Sequence, residues 1–139
     1  MRYQNIQKGI FLERPNRFIA HCLVDGRQVV AHVKNTGRCK ELLVPGAAVY
    51  LDYVSQSKRR TPCDLVAVEK AGRLINMDSQ APNQVIYEAL SQEQLVLPDQ
   101  GGPLTLIQRE SVYHDSRFDF YIESGPWQAY IEVKGVTLE

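Results

Sequence analysis

The residues best placed to do chemistry lie near the end of this chain. Glu132-Val133-Lys134 sets a carboxylate and an ammonium two positions apart. On a strand, that spacing points both to one face while Ile131 and Val133 face the other. Upstream, Phe118 and Phe120 flank Asp119, which puts one carboxylate between two core-type aromatics. A hairpin through Ser124-Gly125-Pro126-Trp127 would bring Asp119 beside Glu132. Glu88, on a helix expected before these strands, adds a third carboxylate. Two carboxylates with an ammonium nearby make a hard, oxygen-rich site suited to Mg2+ or Mn2+. Such an ion holds a phosphate oxygen and acidifies a bound water. Lys134 would then orient that water or neutralise charge developing on the phosphate. The same Glu-x-Lys pattern also describes a solvated cross-strand charge pair, and the residues alone leave both readings open.

A second group of candidates is cationic. The 139 residues carry 16 Lys+Arg and 16 Asp+Glu, a formal net charge of zero. That zero hides a split: residues 1–75 hold 13 Lys/Arg and 6 Asp/Glu, net +7, whereas residues 76–139 hold 3 and 10, net −7. Charge asymmetry of this kind suggests a module that holds nucleic-acid phosphates followed by one that holds a metal ion. Arg14, Arg17, Lys34, Arg38 and Lys40 are the cations expected to contact nucleic acid. Each phosphate they neutralise releases counterions, so binding should be salt-dependent. Lys58-Arg59-Arg60 is a second basic run, which taken singly reads as a solvated loop. Phe18, Tyr50 and Tyr53 suit base stacking, although strand aromatics more often belong to a core.

These groups need elements to position them. Residues 9–12, 18–24, 29–33, 48–54 and 64–69, with Leu74-Ile75, are rich in β-branched and apolar residues and read as short strands. Asp25-Gly26 and Pro45-Gly46 mark turns, and Arg38 to Val44 suits one helical turn. Short strands with frequent turns suggest a small barrel of the OB type over residues 1–75. Composition changes near Asn76–Pro82. Asn83 is the expected N-cap of a helix over Gln84–Gln92 whose buried face carries Val85, Ile86, Ala89 and Leu90. Strands are expected at 104–108, 117–122 and 129–134, so residues 76–139 form a second, α/β domain.

Composition excludes several classes. With 44% hydrophobic residues, the chain has enough apolar surface to offset the entropy of ordering, so wholesale disorder is excluded. No run of about 18 apolar residues exists to span a membrane. Met1-Arg2-Tyr3-Gln4-Asn5 lacks the apolar region of a signal peptide, which gives the expectation of a cytoplasmic protein. Cys22, Cys39 and Cys63 form no CxxC pair and read as buried thiols, although Arg59 and Arg60 beside Cys63 would tend to lower its pKa. His114-Asp115-Ser116 reads as a polar turn, because adjacent residues cannot form a catalytic triad. Neither a P-loop nor GxGxxG is present, so no nucleotide cofactor is expected. A homo-oligomer is compatible with the sequence.

The order helix-Glu, strand-Asp, strand-Glu-x-Lys resembles the PD-(D/E)XK nuclease core. More closely, the whole chain resembles the N-terminal portion of the sugar fermentation stimulation protein family of bacteria. The matching stretches are Glu13-Arg14-Pro15-Asn16-Arg17-Phe18, Ala31-His32-Val33-Lys34-Asn35-Thr36-Gly37-Arg38, Ser116-Arg117-Phe118-Asp119-Phe120 and Glu132-Val133-Lys134-Gly135-Val136-Thr137-Leu138. The resemblance implies an α+β protein: an N-terminal OB-like β-barrel followed by a PD-(D/E)XK nuclease-like α/β domain. Family members continue past the Glu-x-Lys strand, so that second domain is expected to be truncated here. The resemblance makes Asp119 and Glu132 metal ligands, Lys134 the catalytic lysine and Glu88 the helix-borne carboxylate. It implies a DNA-binding protein with a nuclease-like Mg2+ or Mn2+ site that hydrolyses phosphodiester bonds. The alternative is a non-catalytic DNA-binding regulator of sugar-utilisation genes.

Overall fold

Alternating buried and open residues in the first half produce sheet rather than helix. In the computed structural model, which describes residues 1–55 and 58–137, β1 (Ile6–Asn16), β2 (Ile19–Val24), β3 (Arg27–Val33), β4 (Ala48–Tyr53), β5 (Cys63–Lys70) and β6 (Arg73–Asn76) form one sheet. Two sequence features reach outside the described residues: 56–57 of the basic loop, and Leu138 of the last matching stretch. The spatial order is β3-β2-β1-β4-β5-β6, and β3 also pairs with β5, in parallel. That extra pairing closes five strands into the expected OB-like barrel, with β6 added outside the ring.

Every second side chain of β2 points inward: Ala20, Cys22 and Val24 are buried, and their neighbours are half-buried. Phe11, Val33, Leu42, Val49, Leu51, Leu65 and Val68 complete the barrel core. Each fully buried side chain of this size contributes about 1.5–3 kcal/mol of apolar transfer. β1 is longer than its sequence suggests, with breaks in register at Phe11/Glu13 and Glu13/Asn16. Pro15 lies in the second break, where a residue without N–H removes no ladder bond. Where a helical turn is expected there is a hydrogen-bonded turn, with the amides of Leu42 and Leu43 donating to the Cys39 carbonyl at 3.1 and 2.9 Å and Cys39 at φ 46°. Cys39, Leu42 and Leu43 thereby anchor an otherwise irregular loop in the core.

All three cysteines are free and buried. Burial pushes the Cys22 thiol up to about 12 and the Cys63 thiol up to about 11. For Cys63, nearby Asp64 adds to the rise and outweighs the lowering by Arg59, so the thiol is a buried one as expected.

Contacts divide the chain into two compact units, one built on Arg2–Ser79 and one on Gln80–Gly135 with Met1. The second unit holds α1 (Ala81–Ser91), β7 (Leu106–Tyr113), β8 (Ser116–Ser124) and β9 (Trp127–Ile131), with the three strands in sequential antiparallel order. This is the mixed α/β domain that the fold reading requires. Its helix starts earlier than expected. Gln80 is the N-cap residue, without a side-chain capping bond, and Pro82 occupies the first turn, where its missing N–H matters least. Asn83 therefore caps nothing. The buried face runs through Ile86 and Leu90, whereas Val85 is half exposed. These residues cover Phe120 and Ile122 of β8, with Trp127, Ala129, Ile131 and Val133 alongside.

Gly125 makes the hairpin to β9. It has φ 57°, and Pro126 follows with its fixed negative φ, a pairing that suits a tight antiparallel turn. The rings of Tyr113, Phe118 and Tyr121 lie 4.9–5.1 Å from that of Tyr130. Among the described residues, no helix is long and apolar enough to cross a membrane.

The thiols give a direct check on the barrel core. Iodoacetamide at about pH 8 should leave Cys22 and Cys63 unlabelled in native protein and label both after denaturation, read by intact mass. Rapid native labelling would contradict their burial.

Candidate functional site

Asp119 is where the carboxylate cluster was expected to begin, and its side chain is already engaged. Asn83 Nδ2 donates to Oδ1 at 2.7 Å, and the backbone amide of Val133 donates to Oδ2, also at 2.7 Å. Asp119 thus ties α1 to the segment that follows β9. Phe120 pairs with Ile131, so an extended ladder would set Asp119 against Glu132. The ladder stops at Ile131 instead, and Glu132-Val133-Lys134 follows the strand rather than belonging to it.

Glu132 and Lys134 pair with each other at the surface. That contact and the nearby Asp119 charge raise the lysine pKa, which keeps it a cation rather than a base. Glu88 is also taken: its Oε1 accepts from Gln84 at 2.9 Å, and its Oε2 pairs with the N-terminal ammonium. Those bonds hold its pKa below the usual carboxylate value.

No group of three or more His, Cys, Asp or Glu among the described residues is arranged to hold a metal ion. This corrects the Mg2+ or Mn2+ cofactor and the metal assignment of Asp119 and Glu132. The nuclease-like site falls with them. Its carboxylates are separately occupied by an amide, an ammonium or a backbone N–H, so they do not converge on one point.

The cations of the barrel are better gathered. Arg14, Asn16, Arg17, Thr36, Gly37, Arg38, Lys40 and Leu43 line a cavity of about 380 Å³. Two side-chain-capped turns shape its walls. Asn16 Oδ1 accepts from the amides of Phe18 and Ile19 at 2.9 and 3.1 Å, and Asn35 Oδ1 accepts from the amide of Gly37 at 2.9 Å. A Cβ on Gly37 would approach that Asn35 oxygen to 3.0 Å, so the turn closes most easily around glycine. Arg17, Arg38 and Lys40 are exposed on this rim. Phe18 is 53% exposed beside them, with the Arg17 guanidinium 5.9 Å from its ring centre.

Two of the five expected DNA-contacting cations are directed elsewhere. Arg14 donates to backbone carbonyls. Lys34 lies between two buried carboxylates, 3.3 Å from Asp64 and 3.4 Å from Asp78. In the second basic run, Arg59 pairs with Asp64 as well. His32 Nδ1 is 3.5 Å from the same carboxylate, and His21 pairs with Glu13 at 2.7 Å. Tyr50 donates to Glu69 at 3.1 Å, and Tyr53 packs on the core, which leaves Phe18 as the open aromatic of the three.

Burial pushes the Asp64 pKa up, but hydrogen bonds and charge from Arg59 and Lys34 bring it net below its usual value. No local pattern of residue types marks these inward roles. Lysine and arginine look alike in a charge count whether they meet solvent or a buried acid.

Comparison with known proteins was consistent across both units. Residues 12–77 match the family described as SfsA N-terminal OB domain, and residues 80–139 match the Sugar fermentation stimulation protein RE domain. A sugar fermentation stimulation protein homolog of Ruminiclostridium cellulolyticum is 52% identical over the whole chain, which covers 59% of that relative. One from Desulfitobacterium hafniense is 50% identical, again over the whole chain and 58% of the relative. The chain therefore spans under two thirds of the length of these relatives. A solved structure described as Pyrococcus furiosus SfsA in complex with Ca2+ superposes with a TM-score of 0.76 at 27% identity, over 95% of this chain and 56% of that one.

Two substitutions check these assignments. Asp119→Ala should lower stability by about 1–2 kcal/mol in urea denaturation, because the Val133 amide and Asn83 lose their acceptor. Asp64→Asn should destabilise by about 1–3 kcal/mol at neutral pH, since Lys34 and Arg59 lose a buried counter-ion. Because the folded pKa of Asp64 is depressed, its contribution is present above the unfolded value of about 3.9 and is lost as pH falls through the folded value. The Asp64→Asn variant should accordingly show a flatter acid limb in stability against pH.

Proposed function

Because the chain belongs to the sugar fermentation stimulation protein family, we propose that it is the DNA-binding portion of a non-catalytic regulator of sugar-utilisation genes. The single observation that carries this reading is the basic cavity on the barrel. Three exposed cations, Arg17, Arg38 and Lys40, border one concave surface next to an open aromatic ring. Phosphate oxygens are the ligands that such a rim suits, and Phe18 offers a face on which an unpaired base can stack. Residues 1–75 form the nucleic-acid-binding domain on this reading, and their +7 excess supplies long-range attraction. The sugar link rests on the naming of the relatives as sugar fermentation stimulation protein homologs.

Phosphate contact by three cations gives a salt slope of about −3 in a plot of log affinity against log salt, from about −0.9 for each contact. Fluorescence anisotropy with a labelled oligonucleotide, run in EDTA, measures this. Arg17→Ala, Arg38→Ala and Lys40→Ala should each weaken binding and reduce the slope by about one. Glu132→Ala should leave binding unchanged. Affinity that is insensitive to all three cation substitutions, or that requires a divalent ion, would overturn the proposal.

A further inference from the structure

The loop that carries Arg38 and Lys40 has no strand or helix of its own between β3 and β4. Something must hold it beside Arg17, which sits in the turn between β1 and β2. One side chain reaches all of these segments. Arg14 Nη1 donates to the carbonyls of Gly37 and Arg38 at 2.7 and 2.8 Å. Its Nη2 donates to those of Arg17 and Asn35 at 2.6 and 2.8 Å.

A guanidinium has four N–H groups on its two terminal nitrogens, and these four bonds engage all of them. The fifth donor, Nε, is buried without a partner. Arg14 lines the cavity, yet it has no terminal donor left for a phosphate. Its bonds also turn four carbonyl oxygens toward a positive charge. Released, those oxygens would be free to face an incoming anion and repel it.

Resting on the DNA-binding reading above, we propose that Arg14 is a positioning residue. It makes no contact with nucleic acid, and its fork holds the turn at Arg17 and the Asn35–Arg38 loop so that Arg17, Arg38 and Lys40 face one stretch of phosphate backbone together. Lysine cannot replace it. A single ammonium keeps the charge, but it has three donors on one atom and no planar fork.

The test uses Arg14→Lys, with Arg17→Ala for comparison and Arg14→Gln should the lysine variant not fold. Three quantities are read: thermal midpoint, the rate of native tryptic cleavage after Arg38 and Lys40, and DNA affinity with its salt slope. Arg14→Lys should remain folded, be cleaved about tenfold faster at these sites, and bind DNA about tenfold more weakly with a shallower slope, although its formal charge is unchanged. A residue serving global stability alone would move the midpoint and leave the slope of the folded protein where it was. Arg17→Ala should weaken binding without accelerating cleavage. Unchanged affinity and unchanged cleavage in Arg14→Lys would overturn the proposal and leave Arg14 as one more charge. Absence of DNA binding by the unaltered chain would instead overturn the DNA-binding reading. The tryptic rates then decide the role of Arg14 by themselves: faster cleavage upholds it as the loop holder, and equal rates refute it.

Discussion

A backbone carbonyl that leaves a sheet must still find a donor, and in the barrel unit four of them find the same guanidinium. Arg14 gathers carbonyls from the turn after β1 and from the loop after β3. The rest of the basic surface follows from that convergence. Asn16 and Asn35 tighten the two segments locally, and Cys39, Leu42 and Leu43 fasten the loop to the core. The β2–β3 ladder sets the two segments side by side, with the Val33 amide on the Phe18 carbonyl, and a single planar cation with fixed donor directions ties them.

The charge split of the chain acquires a second meaning from these contacts. In the basic half, the cations divide into those that face outward and those that neutralise or organise the interior. Lys34 and Arg59 serve Asp64, a carboxylate whose pKa burial alone would raise. Arg14 serves carbonyls. In the unit built on Gln80–Gly135, three carboxylates are held separately. Asp119 fastens a backbone amide and a helix residue, Glu88 takes an ammonium, and Glu132 takes its neighbour Lys134. Carboxylates that each have a private partner repel one another little and need no cation to bridge them. Here they fasten the second unit together instead of collecting around an ion.

The barrel was legible in the sequence because its strands are written in β-branched and aromatic residues broken by turn formers. Those signals act within a few residues of each other. The hairpin through Gly125-Pro126 was legible for the same reason. The end of β9 was not. Glu132-Val133-Lys134 has strand composition, yet the Val133 amide bonds to the Asp119 side chain in place of a ladder carbonyl. That choice depends on a residue fourteen positions away, and no local pattern announces it. The helix start moved for a related reason. Asn83 is a good capping residue by type, but its side chain is drawn to Asp119 across the unit. The role of Arg14 was hidden more deeply. Its partners are carbonyl oxygens, which every residue carries, so residue types say nothing about where they converge.

The ring of the barrel is shut by its shortest seam, the parallel pairing of Ala31, His32 and Val33 with Cys63, Asp64 and Leu65. About thirty residues separate the two sides of that seam, and their loop entropy must be surrendered before the pairing returns anything. On a growing chain, the β1–β3 meander emerges first and can pair as a sheet with two open edges. The ring cannot shut until β5 has followed it out. Arg17, Arg38 and Lys40 are all synthesised before that moment, and so is the guanidinium that organises them. The nascent chain thus carries the cations of this surface ahead of the order that gives their charge a shape. Closure is a late, non-local event that turns a polycationic segment into a defined surface.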